Sequence, residues 1–140
     1  MPRRMKIHEL MSTDLVTLTE DETLAHAKRC MERGRLRHLP VLRGRSLVGL
    51  VTHRDLLAAS FSVLAEVDSQ EQRRVFMQVL VSEIMHRDLK TVDRDTPIAE
   101  AAKILLRNKF GCLPVVGEDM ELLGLVTEAD FLRLTVRLLP

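Results

Sequence analysis

Apolar and polar positions fall into short blocks along the chain, and the same order of blocks occurs twice. "LVTL" (15–18) and "LKTV" (89–92) are short and rich in β-formers, which suits first strands. "LAHAKRCMERG" (24–34) and "IAEAAKILLRN" (98–108) follow as helices. In the second, Ile98, Ala101, Ala102 and Leu105 keep the i, i+3, i+4, i+7 spacing of one buried face. Thr96 offers an N-cap there, with Pro97 at the first helical position. Gly34 and Asn108 stand where these helices should stop, and both residue types tolerate a left-handed cap. "LPVL" (39–42) and "LPVV" (113–116) read as second strands, in which Pro40 and Pro114, lacking an N–H, belong at a strand start or an edge. "RGRS" and "GEDME" supply turns into "LVGLV" (47–51) and "LLGLV" (122–126), third strands apolar enough for burial on both faces. Last helices begin near Asp55 and Asp130.

The two runs are in register. Met11, Asp14, Leu15, Thr17, Asp21, Ala25 and Ala27 each meet an identical residue 74 positions on, and so does Leu39-Pro40-Val41. One extra residue in the second turn shifts the offset to 75, at which Gly49, Thr52 and Asp55 meet Gly124, Thr127 and Asp130. The prediction is an α/β (α+β) fold of two tandem β-α-β-β-α repeats, 7–60 and 80–136, joined by an ordered connector over 61–79. The connector can carry a helical turn or more around Val75, Met77, Val79 and Leu80. Within each repeat the first crossover should be parallel and right-handed, and the second pair antiparallel. A unit of about fifty residues buries little surface alone, so the copies are expected to pack sheet to sheet with pseudo-twofold symmetry.

Composition narrows the functions. Four Phe and no Trp or Tyr make a core of Leu, Val, Ile, Met and Ala, and leave little for base-stacking platforms. A net charge of +1 sets up no global field for nucleic acid or anionic lipid. Arg33, Arg35, Arg37, Arg43 and Arg45 do crowd together, as a solvated loop or an anion-facing patch. Cys30 and Cys112 lie in apolar surroundings and read as buried free thiols rather than a disulfide framework. With no secretory signal and no apolar run of about 18–20 residues, the expectation is a cytoplasmic protein without a membrane span.

With these pieces in place, a tandem pair of such units resembles a CBS-domain pair, or Bateman module. The resemblance rests on the Met before each first strand, the "LPV" second strands and the two G-h-h-T-x-x-D stretches, "GLVTHRD" (49–55) and "GLVTEAD" (124–130). It covers roughly 7–60 and 80–135 and is closest to the short stand-alone pairs of bacteria, with no catalytic domain attached. It implies a cleft between the repeats that binds AMP, ADP, ATP or another adenosyl ligand, although some family members have no known ligand. By the same resemblance, Asp55 and Asp130 accept hydrogen bonds from ribose hydroxyls, with Thr52 and Thr127 beside them. The segments holding Thr17, His38 and Pro40, and Thr91, Cys112 and Pro114, would line the adenine. Where the family motif often has Ser or Thr before the Asp, this chain has Arg54 and Ala129, so the two sites need not be equal.

A carboxylate can accept two hydrogen bonds at once, and a ribose presents two adjacent hydroxyls. A helix start adds free N–H groups for phosphate, and His53 and Arg54 favour the first site for a phosphate-rich ligand. Thr-x-x-Asp before an apolar run is equally a capping box, and on spacing alone that reading leads. The two roles are compatible. His38 and Cys112 align with one another, and packing is the simpler reading of both. No zinc-type spacing, nucleophile elbow or phosphate-binding P-loop is present, so no enzyme is expected. The apolar end "DFLRLTVRLLP", with "LLAASFSVL" in the first copy, predicts a homodimer through the last helices. The expected function is a regulatory sensor of an adenine nucleotide that signals to an unidentified partner protein. The alternative is a ligand-free dimeric interaction scaffold.

Overall fold

The computed structural model describes residues 4–64 and 68–140, without the side chains of 61–64. The elements are β1 (Leu18–Thr19), α1 (Leu24–Gly34), β2 (His38–Arg43), β3 (Ser46–Thr52), α2 (His53–Leu64) and α3 (Ser69–Phe76). They continue with α4 (Val81–Ile84), α5 (Ile98–Arg107), β4 (Cys112–Val116), β5 (Leu122–Thr127) and α6 (Glu128–Leu138). This is a mixed α/β protein with two small sheets. It divides into two compact units, Val16–Leu89 and Met1–Leu15 with Lys90–Pro140. The residues just before each first strand therefore pack with the other repeat's strands.

In the Val16–Leu89 unit the sheet order is β1-β2-β3, with β1 parallel to β2 and β2 antiparallel to β3. Leu18, Leu39, Val41 and Val51 meet Leu24, Ala27 and Met31 of α1, Leu56 of α2, Phe76 of α3 and Val81 of α4 in one core. The other unit pairs β4 with β5, and Val92 bridges Val115 in parallel at the position equivalent to Leu18 and Val41. Its core gathers Ile7, Val92, Ala101, Leu105, Leu113, Val115 and Val126. The ladders slip at matching points, Val41/Leu42 and Val115/Val116. The extra residue of the second repeat falls in the turn after that slip, where Asp119 and Met120 take the left-handed conformation.

Helix α1 has the bounds its pattern predicts, and the face of Ile98, Ala101 and Leu105 is the one α5 turns to its core. The ends differ. The left-handed residue after α1 is Arg35 (φ 51), one beyond Gly34, and Asn108 is extended (φ −90, ψ 124). Pro97 itself takes the cap position of α5, while Thr96 is buried and its hydroxyl turns to Asp93. The first strands are shorter than expected, two residues in one unit and a single bridge in the other. After Leu18 the chain is diverted: Thr19 donates from its N–H to Glu22 (2.8 Å) and from its hydroxyl to Asp21 (2.7 Å). The latter bond holds the Asp21 carboxyl below its ordinary pKa.

Neither proline starts its strand: Pro40 sits inside β2, the middle strand of its sheet, whereas Pro114 sits inside β4, an edge strand of its two-stranded sheet. They are tolerated because Leu50 and Leu125, their partners across the ladder, turn their backbone groups the other way. Leu50 exchanges both its bonds with His86 (3.0 and 2.9 Å), and Leu125 exchanges both with Ser12 (3.0 and 2.9 Å). Such a pair asks no N–H of the proline. Residues 65–67 of the expected connector lie outside the described residues; beyond them α3 is capped by Asp68 accepting the Glu71 N–H, and Phe76 rather than Met77 enters the core.

Candidate functional site: two capped carboxylates

Each third strand runs directly into its last helix, and the Thr-x-x-Asp stretch makes that junction. Thr52 ends β3, and Asp55 lies in the first turn of α2. Asp55 Oδ2 accepts the Thr52 N–H at 2.7 Å and the Thr52 hydroxyl at 2.9 Å, while the Asp55 N–H donates back to Thr52 Oγ1 at 3.3 Å. That is a reciprocal capping box. In the other unit Asp130 Oδ2 accepts the Thr127 N–H at 2.8 Å and the Thr127 hydroxyl at 3.3 Å. One oxygen of each carboxylate is thus committed to the helix start. Asp130 is buried, as is Thr52.

The remaining oxygens differ. Asp55 Oδ1 lies 2.7 Å from His86 Nε2, and Asp130 Oδ1 accepts from Arg133 Nη1 at 3.1 Å. Neither His86 nor Arg133 was among the site residues expected from sequence. Arg133 is one helical turn beyond Asp130, a spacing at which side chains meet. For His86 the available signal was the matched pair Met11 and Met85 immediately before Ser12 and His86. Those methionines mark where each pre-strand segment lies against a glycine. A Cβ on Gly49 would come within 2.8 Å of Met85 Cγ, and one on Gly124 within 2.7 Å of Met11 Cγ.

The other candidate residues fall along these strands in two matching sets. His38 pairs with Thr52, and Cys112 pairs with Thr127. The Leu18–Val41 register sets Thr17 next to Pro40, and the Val92–Val115 bridge sets Thr91 next to Pro114. Pro40, Cys112 and Pro114 are buried, Thr17, His38 and Thr91 half-buried, and His53 and Arg54 exposed at the start of α2. Burial pushes the Cys112 thiol up to about 12, so it is neutral at physiological pH. Cys30 is half-buried, with Sγ 3.5 Å from His26 Nε2. Of the arginine cluster, Arg43 is taken by Glu20 through two bonds of 2.7 and 3.0 Å. This pairing holds the Glu20 carboxyl below its ordinary range and raises Arg43. Among the described residues no group of three His, Cys, Asp or Glu could hold a metal ion, and no helix is long and apolar enough to cross a membrane.

The family model for the CBS domain matches residues 7–62 and 81–137. The chain belongs to the CBS-domain family, as a pair. It is 31% identical over 137 residues to a CBS domain-containing protein of Dictyostelium discoideum, covering 97% of this chain and 94% of that one. It is 38% identical over 117 residues to inosine-5'-monophosphate dehydrogenase of Korarchaeum cryptofilum, covering 84% of this chain and 21% of the enzyme. The likeness therefore reaches eukaryotic and archaeal proteins and is not confined to a bacterial type. Among solved structures, CBSX2 from Arabidopsis thaliana superposes with a TM-score of 0.84 at 25% identity, covering 97% of each chain. A structure of CBSX2 in complex with AMP matches with a TM-score of 0.79 at 26% identity, covering 95% of this chain and 97% of that one.

Proposed function

We propose that this CBS pair is a regulatory sensor of an adenine nucleotide (AMP, ADP or ATP, or another adenosyl compound), acting in the cytoplasm and passing occupancy to a partner protein. The observation that carries the reading is the matched pair of carboxylates, each held at a helix start by its own Thr-x-x-Asp cap. The capped geometry keeps each carboxylate fixed and hydrogen-bonded before any ligand arrives. A ribose diol donates to such a carboxylate, at about 1.5–3 kcal/mol for each bond to a charged group. His53 and Arg54 at the exposed start of α2 suit phosphate. Thr17, His38, Pro40, Thr91, Cys112 and Pro114 supply the apolar and backbone surroundings of an adenine. The AMP complex of CBSX2 supports this ligand class. Occupancy becomes a signal to the extent that the ligand prefers one conformation of the chain over another.

Isothermal titration with AMP, ADP, ATP and S-adenosylmethionine tests the proposal. At least one should bind, and Asp130→Asn should weaken binding by about tenfold or more. Silence from all four at millimolar concentration rejects it.

A second reading, a ligand-free dimeric scaffold, is favoured by the outer surface of α6. Leu132, Val136 and Leu138 are exposed at 68%, 75% and 69%. Leu132 and Val136, one turn apart, line an open groove of about 670 Å³ together with Leu10, Arg133 and Arg137. A homodimer through the last helices would cover this face. Under this reading Val136→Glu makes the chain monomeric in sedimentation, while Asp55→Ala and Asp130→Ala leave partner binding intact.

A further inference from the structure

The two carboxylates are capped alike but closed differently. Asp55 Oδ1 faces His86, whose backbone is anchored by both of its hydrogen bonds with Leu50. The sheet thereby fixes the backbone from which the imidazole reaches the carboxylate, 31 residues away in sequence. Asp55 and His86 side chains are 17% and 36% exposed. Asp130 Oδ1 faces Arg133, a long side chain on its own helix and 72% exposed. An exposed arginine leaves a carboxylate at little cost, because water replaces the bond it gives up. The anchored imidazole has no comparable freedom. In the repeat alignment the position of His86 is filled by Ser12, which makes the same pair of backbone bonds to Leu125 but carries a much shorter side chain.

We propose that His86 is a positioning residue that shuts the Asp55 half-site by occupying the oxygen a ribose would need, so that a nucleoside ligand loads at Asp130 first. This rests on the nucleotide reading above. The first repeat, with its exposed His53 and Arg54, is thus the site held in reserve, and residue 86 sets how many ligands one chain carries. The imidazole is an obstacle there because it donates to the same Oδ1 that the ligand hydroxyls would claim, while Oδ2 stays committed to the cap.

The experiment is a calorimetric titration of AMP into the full chain and four variants, with urea midpoints confirming that each folds. The wild type should bind one AMP, and Asp130→Asn should weaken that event by about tenfold or more. His86→Ser, which installs the residue found at the matching position, should raise the stoichiometry to two. The double variant His86→Ser with Asp130→Asn should still bind one AMP, now through Asp55. His86→Gln keeps an N–H donor near the place of Nε2 and should bind one, as the wild type does. A wild type that already binds two, or a His86→Ser variant that binds no more than the wild type, overturns the proposal and leaves the nucleotide reading standing. Silence of every protein toward AMP overturns this proposal and leaves the nucleotide reading to the titrations with ADP, ATP and S-adenosylmethionine.

Discussion

The segment before each first strand packs so tightly on a glycine that replacing the glycine gives a sharp test of the exchanged arrangement. The nearest atoms to a methyl group at Gly49 all belong to Met85: beyond Sδ, it meets Cγ at 2.8 Å and Cβ at 3.1 Å. A methyl group at Gly124 would meet Met11 Sδ at 2.5 Å and Cγ at 2.7 Å, and also the backbone oxygen of Ser12 at 2.9 Å. That oxygen accepts the Leu125 N–H at 3.0 Å and cannot retreat without opening the ladder. Overpacking costs about 1–3 kcal/mol. Methionine is flexible and can give way, so Gly49→Ala should fall near the low end, about 1 kcal/mol, and Gly124→Ala near about 3 kcal/mol. Met85 is buried, and Met85→Ala alone should cost about 2–5 kcal/mol. In the Met85→Ala background only the Cβ contact at 3.1 Å remains, so Gly49→Ala should then cost a small part of its penalty, a favourable coupling somewhat under about 1 kcal/mol. Met11→Ala should relieve only part of the Gly124→Ala penalty, because the Ser12 oxygen remains. The chain has no Trp or Tyr, so urea unfolding is best followed by far-ultraviolet circular dichroism, comparing midpoints at constant slope. Strict additivity at Gly49 and Met85, or equal relief at both glycines, would refute the reasoning.

Thr52→Ala removes the hydroxyl that both accepts the Asp55 N–H and donates to its carboxylate, and should destabilise by about 0.5–2 kcal/mol in the same urea assay, with Thr52→Ser close to wild type. At pH 8 a thiol reagent should modify Cys30 in the folded protein and reach Cys112 on unfolding, read by mass spectrometry. Cys112 also bears on alkaline stability. Its thiol ionises near 9.0 when unfolded and near about 12 when folded, so stability present below pH 9 should fall as the pH rises through that window. Cys112→Ala should flatten that decline in urea midpoints measured between pH 8 and pH 11.

Much of this protein follows from short-range rules that act along the chain. The face of α5 and the bounds of α1 are set by residues three and four apart, which a linear pattern displays directly. The Thr-x-x-Asp junctions are local for the same reason, since every atom of the capping box lies within four consecutive residues. The repeat is likewise visible in the letters, and with it the pairing of second and third strands across a short turn. Helix ends were less legible: the left-handed residue is Arg35 rather than Gly34, and the cap position of α5 falls on Pro97 rather than Thr96. Pro40 looked like an edge residue and is not one; its neutrality depends on Leu50 bonding to His86, a residue outside the first repeat. That exchange was beyond the reach of sequence. Met85 over Gly49, Met11 over Gly124, and His86 on Asp55 join residues far apart in the chain with no local signature. Folding alone decides them, because a strand edge accepts whichever segment the rest of the core delivers to it, and here that segment sets an imidazole against Asp55 where Asp130 meets an arginine of its own helix.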